Sequence, residues 1–143
     1  MKWKDEALER LARYPLMEKA TKTIPLELQR LEAEALAMGR LDLNRAGSRS
    51  AKSREEWMLN NLAMRQHLQW SLEDAVSWLG VTNMAIKSLP QEDRWVLENM
   101  YIHKLVGIEE VESHFRVERS SAYRRREKAL ERFALALYGG LES

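Results

Sequence analysis

Between Trp57 and Ile86, the residues Trp57, Met64, Leu68, Leu72, Ala75, Leu79 and Ile86 recur at steps of three, four and seven. That spacing puts them on one face of a helix, and no strand of period two can present the same set. The one extra four-residue step implies a long helix with a local change of supercoil. Asn61 and Thr82 interrupt the face with polar groups, Gly80 weakens its second half, and Trp70 and Trp78 lie just off the seam and widen it. The resulting apolar surface is too large for a helix standing alone in water, so other helices of this chain or of a second copy have to cover it.

The rest of the chain reads in the same period. Three prolines, six glycines and the lack of any alternating pattern leave no candidate strand, so the expected class is all-α. Trp3 to Tyr14 forms a first helix with Ala7, Leu8 and Leu11 apolar, and Pro15 marks a break or kink. A second runs from Leu16 to Met38, with Pro25 in the first turn of a new helix, a seam of Leu28, Leu31, Ala35 and Met38, and an end at Gly39. Residues 1–39 are thus expected to be an N-terminal helical arm. Residues 40–52, rich in Arg, Ser and Gly without periodicity, are a basic flexible linker. Ser53 and Glu56 form a capping box that opens the long amphipathic helix over 53–87, assigned to oligomerisation. A second box, Ser88 to Gln91 with Pro90 in the first turn, opens a helix to about His103 and begins the last domain, residues 88–143.

Inside that domain the segment GIEEVESHFRVERSSAYRRREKALERF reads as two short helices joined by a tight turn. Ile108, Val111 and Phe115 form the apolar stripe of the first, the turn is centred on Arg116 to Glu118, and the second begins near Arg119. Charge is sorted along the chain although the net charge is only +1. Residues 55–115 carry four basic and ten acidic residues, whereas residues 116–132 carry seven basic and three acidic. A short helix, a turn around an aliphatic residue and a basic helix make the layout of a helix-turn-helix, whose second helix enters the DNA major groove.

This segment resembles region 4 of bacterial sigma factors, the module that reads a promoter element. More closely, RSSAYRRREKALERFALALYG resembles the sigma-region-4-like end of phage late-gene transcriptional regulators of the RinA and ArpU families. ERLARYPLMEK and SLPQEDRWVLENMYI are similar to the same group. The resemblance implies a sequence-specific, double-stranded-DNA-binding regulator of late genes, phage or prophage encoded, that touches host RNA polymerase. The DNA-binding residues expected are Arg116, Arg119, Ser120, Ser121, Tyr123, Arg124, Arg125, Lys128 and Arg132. Glu118, Arg119, Ser120, Tyr123, Arg124 and Glu127 are expected to face outward. Glu112 and Ala122 exchange the small and branched residues usual at the helix crossing, which suggests that the Glu112 methylenes cover Ala122 while its carboxylate reaches Arg125 or Arg126.

The inventory argues against an enzyme. With no cysteine and no metal-ligand spacing among His67, His103 and His114, no metal site or cofactor is expected, and neither a phosphate-binding glycine loop nor a nucleophile motif is present. The lack of cysteine suits a reducing cytoplasm, here that of a bacterial host, and no run approaches the ~20 apolar residues of a membrane span. The charged N-terminus does not read as a secretory signal. The expected partners are duplex DNA, host RNA polymerase and further copies of the chain as a homodimer or larger oligomer. Two other readings remain open: a small terminase-type DNA-packaging subunit, and a helical adaptor whose basic helix binds an acidic protein.

Overall fold

The structure is a computed structural model that describes residues 2–44 and 51–140. Among the described residues every element is helical and no strand occurs. The helices are α1 (Lys2–Asn44), α2 (Ala51–Lys87), α3 (Gln91–Val96) with a π-helical continuation over Leu97–Ile102, α4 (Ile108–Phe115) and α5 (Arg119–Tyr138). No helix among the described residues is long and apolar enough to cross a membrane.

Several expected boundaries are corrected. α1 runs unbroken through Pro15, Pro25 and Gly39 for 43 residues. A proline inside a helix costs ~3 kcal/mol through a lost hydrogen bond and a ring clash. Burial of Trp3 and Leu11 on one side of Pro15 and of Leu31 beyond Pro25 offsets it, since each such side chain contributes roughly 1.5–3 kcal/mol. Arg40 to Asn44 continue α1 and Ala51 and Lys52 begin α2, so the expected linker narrows, and residues 45–50 lie outside the described residues. Neither capping box opens its helix. Ser53 lies inside α2, and Ser88 instead donates to the Ala85 carbonyl at 2.7 Å, closing α2, while Pro90 precedes α3 with no side-chain cap.

Packing divides the chain into two units. The first comprises Met1–Met17 and Trp78–Ser143. Its core gathers Trp3, Ala7 and Leu11 of α1, Ala85 and Ile86 of α2, Val96 of α3, Leu97 of the π-helical continuation, and Ala129, Leu130, Phe133 and Ala134 of α5. The first turns of α1, read from sequence as an arm, therefore complete the core around α5. Polar bonds fasten them there. Arg10 Nε donates to Thr82 Oγ1 at 2.8 Å, the Thr82 hydroxyl donates to the Trp78 carbonyl at 2.8 Å, and Tyr14 donates to Asn83 Oδ1 at 2.6 Å. Thr82 is fully buried and satisfied as both donor and acceptor.

The second unit is Glu18–Ser77, made of the remainder of α1 and the first part of α2. Leu31, Asn61 and Ala75 are buried in it, with Leu28, Ala35, Met38, Trp57, Leu68 and Leu72 half-buried. Met64, expected on the seam, is exposed, and Arg65 takes the inward position one residue later. The Asn61 amide donates to the Leu31 carbonyl at 3.0 Å and its oxygen accepts from Arg65 Nε at 2.8 Å, so the polar interruption is paired at both ends.

Because Leu11 is fully buried in the core that holds α5, Leu11→Ala is expected to cost about 2–5 kcal/mol. A fragment of residues 88–143 is expected to lack the cooperative melt of the whole chain. Urea denaturation followed by tryptophan fluorescence checks both.

Candidate nucleic-acid interface

The apolar stripe of α4 folds as its spacing requires, with Val111 fully buried and Ile108 and Phe115 half-buried. Glu110 Oε2 accepts from the Gly107 backbone N–H at 2.8 Å, which satisfies a donor at the head of α4. Arg116 closes α4 in the left-handed region at φ 54°, and Val117 N donates back to the Glu112 carbonyl at 3.1 Å. Glu118 is extended and α5 starts at Arg119, with Ala122 N bonded to the Glu118 carbonyl at 2.9 Å and no side-chain cap. The turn thus occupies Arg116 to Glu118, as read from the sequence.

Ala122, Ala129, Leu130, Phe133 and Ala134 bury one face of α5. At 100° per residue the opposite face carries Ser121, Arg124, Lys128 and Glu131, with Ser120 on one flank and Arg132 on the other. This outward face is rotated from the expected one. Glu127 is half-buried on a flank of α5, accepting from Lys4 Nζ at 2.6 Å and Arg126 Nη2 at 3.2 Å. Tyr123 is partly exposed, with the Arg126 guanidinium 4.8 Å from its ring centroid.

Arg124, Arg125, Lys128 and Arg132 line an open cleft of about 460 Å³ together with Ser121, Val117, Glu92 and Asp93. Their partners differ. Arg125 Nη1 donates to Glu92 Oε2 at 3.0 Å and its guanidinium sits 4.3 Å over the Phe115 ring. Arg132 Nη1 donates to Asp93 Oδ2 at 2.8 Å, which raises the already high pKa of the guanidinium. Arg124 donates to the Ser121 hydroxyl at 3.1 Å, and neither it nor Lys128 meets a carboxylate among the described residues. Behind Phe115 the Trp95 ring stands edge-on at 5.4 Å and stacks on His114 at 3.8 Å, so aromatic contacts tie α3 to α4 beneath Arg125.

Of the nine expected site residues, Ser121, Arg124, Arg125, Lys128 and Arg132 share this cleft. Arg119 lies apart, 3.6 Å from Glu109 and 3.4 Å from Glu112, while Ser120 and Arg116 are exposed outside the cleft lining. The Glu112 carboxylate therefore reaches Arg119 rather than Arg125 or Arg126, because Arg125 is held by Glu92 and Arg126 by Glu127. Sequence reasoning missed Glu92, Asp93 and Lys4. The two acids read as ordinary first-turn residues after Pro90, and nothing in the spacing ties them to arginines more than thirty positions away. Comparison with protein-family models, with curated proteins and with solved structures gives no match.

The Lys4 hydrogen bond, helped by Arg126, holds the Glu127 carboxyl below the usual glutamate range despite partial burial. Burial pushes the nearby Tyr101 phenol up; the charge of Arg126 opposes this and that of Glu127 adds to it. A depressed carboxyl stabilises the fold above its unfolded pKa and loses that contribution as pH falls through the folded value. Lys4→Ala is therefore expected to raise the Glu127 titration midpoint toward the ordinary value and to flatten the acid side of the stability profile below about pH 4.5. Carboxyl NMR titration and pH-dependent melts measure both.

Proposed function

We propose that the chain is a sequence-specific, double-stranded-DNA-binding transcriptional regulator in which α4, its three-residue turn and α5 act as a helix-turn-helix. The observation that carries the reading is the outward face of α5, where Ser121, Arg124 and Lys128 stand exposed or half-exposed on a helix whose other face is locked in the core. A rigid helix with hydroxyls, and with cations that meet no carboxylate among the described residues, on one side suits insertion into the major groove, which admits one helix. Arg124 is the candidate for reading guanine bidentately, with Ser120 and Ser121 beside it. Lys128 and Arg116 face backbone phosphates.

The resemblance to the RinA and ArpU regulators extends this proposal to phage late genes and to host RNA polymerase as a second partner. The second unit favours self-association, because Leu26, Leu36, Leu59, Leu62 and Trp70 are exposed on it, Trp70 by 69%. We assign that surface to a second copy, so a two-fold dimer reads half-sites one or more helical turns apart. The same exposed residues also suit a ring of many copies, as in a small packaging-terminase subunit, and mass separates the two. A strictly monomeric mass at tens of micromolar removes both.

Selection from random duplexes is expected to enrich one sequence. Arg124→Ala then loses roughly 1–3 kcal/mol and relaxes preference at one position, whereas Lys128→Ala weakens all sequences alike and reduces the salt slope by about 0.9. Enrichment of no duplex, together with the lack of any salt-sensitive DNA binding, would instead favour a helical adaptor whose basic helix binds an acidic protein.

A further inference from the structure

The cleft between α3 and α5 holds two kinds of cation. Arg124 and Lys128 meet no carboxylate among the described residues, whereas Arg125 and Arg132 are held by Glu92 and Asp93. The two acids are not equivalent. The Asp93 side chain is only 9% exposed, so its bond to Arg132 satisfies a buried charge. Glu92 is 67% exposed, and an ion pair so open to water adds little to folding. Nor does Arg125 need Glu92 to be positioned, since its guanidinium already lies 4.3 Å over Phe115.

We propose that Glu92 is a specificity-determining residue for duplex binding: its carboxylate holds the Arg125 guanidinium as a phosphodiester would, and so keeps that arginine from gripping arbitrary DNA backbone. The inference rests on the DNA-binding reading above. Carboxylate and phosphate oxygens compete for the same guanidinium donors. A phosphate entering the cleft at Arg125 has to displace Glu92 and then remain beside its negative charge. On arbitrary DNA nothing offsets that cost, and binding rests on the unpaired cations. On a target sequence, base contacts from the start of α5 fix the register and bring one phosphate against Arg125, and the carboxylate yields. Glu92 therefore weakens non-specific binding more than specific binding, discriminating by penalising the wrong partner.

The test compares Glu92→Gln with Glu32→Gln, which makes the same charge change on an exposed residue of the other unit. The probes are the duplex enriched by the parent protein and a random duplex of equal length. Glu92→Gln is expected to bind the random duplex several-fold more tightly, with the specific duplex changing less, so that the specificity ratio falls. Its salt slope on random DNA is expected to steepen by about 0.9, the value for one added phosphate contact, or roughly 3.5-fold more affinity lost between about 50 and 200 mM salt. Adding Arg125→Ala to Glu92→Gln is expected to abolish the gain. If Glu92→Gln and Glu32→Gln behave alike while the parent selects its sequence, this inference is overturned and the DNA-binding reading stands. If the parent enriches no duplex, both fall.

Discussion

Burial of one face of α5 is the constraint on which the first unit depends. Phe133 and Leu130 fill its centre, and the alanines at 122, 129 and 134 keep the surface low enough for neighbouring helices to come close. Val96 of α3, Leu97 of its π-helical continuation, Ala85 and Ile86 of α2 and the first turns of α1 share the core with that stripe. Because α5 is fixed along this length, the direction of its opposite face is fixed as well. The candidate interface is thus a consequence of apolar packing on the opposite side of the helix.

Charge on α5 is far less free than its composition suggests. Of the seven basic residues between Arg116 and Arg132, Arg119, Arg125, Arg126 and Arg132 each meet a carboxylate. A net count per segment treats all seven as available to an anion, whereas the fold leaves Arg116, Arg124 and Lys128 without such a partner among the described residues. Arg126 is the extreme case, half-buried with its Nε lacking any hydrogen-bond partner, and its contribution is packing over Tyr123 rather than recognition. The arginines nearest the acidic helices are restrained, and those on the outer face are available.

The helical class, the turn at Arg116 to Glu118 and the buried stripe of α4 were legible because each follows from periodicity within a few residues. Long-range partners were not. Leu11 and Ala7 show their apolar spacing plainly, yet spacing cannot say which core receives them, and they join α5 rather than an arm. Pro15 and Pro25 misled for a related reason: their local cost is certain, but tertiary burial on both sides outweighs it. The outward face of α5 was misread by part of a turn, because Glu127 looks solvated until Lys4 arrives from more than a hundred residues away. Local rules hold while the deciding contact is local.

The polar residues on the α2 seam show the converse, where a local irregularity carries long-range information. Asn61 and Thr82 weaken the apolar face on which they lie, and each is buried. Asn61 bonds the Leu31 carbonyl across the second unit, and Thr82 takes Arg10 across the first. A slip of α2 by one turn against α1 would strand the Asn61 amide in an apolar seam, at a cost of about 1–3 kcal/mol for an unsatisfied buried group. A continuous run of leucines would penalise that slip far less, since one leucine replaces another. The two interruptions thus set where along α1 each part of α2 sits, and the register at Thr82 is what carries Ala85 and Ile86 into the core beneath α5.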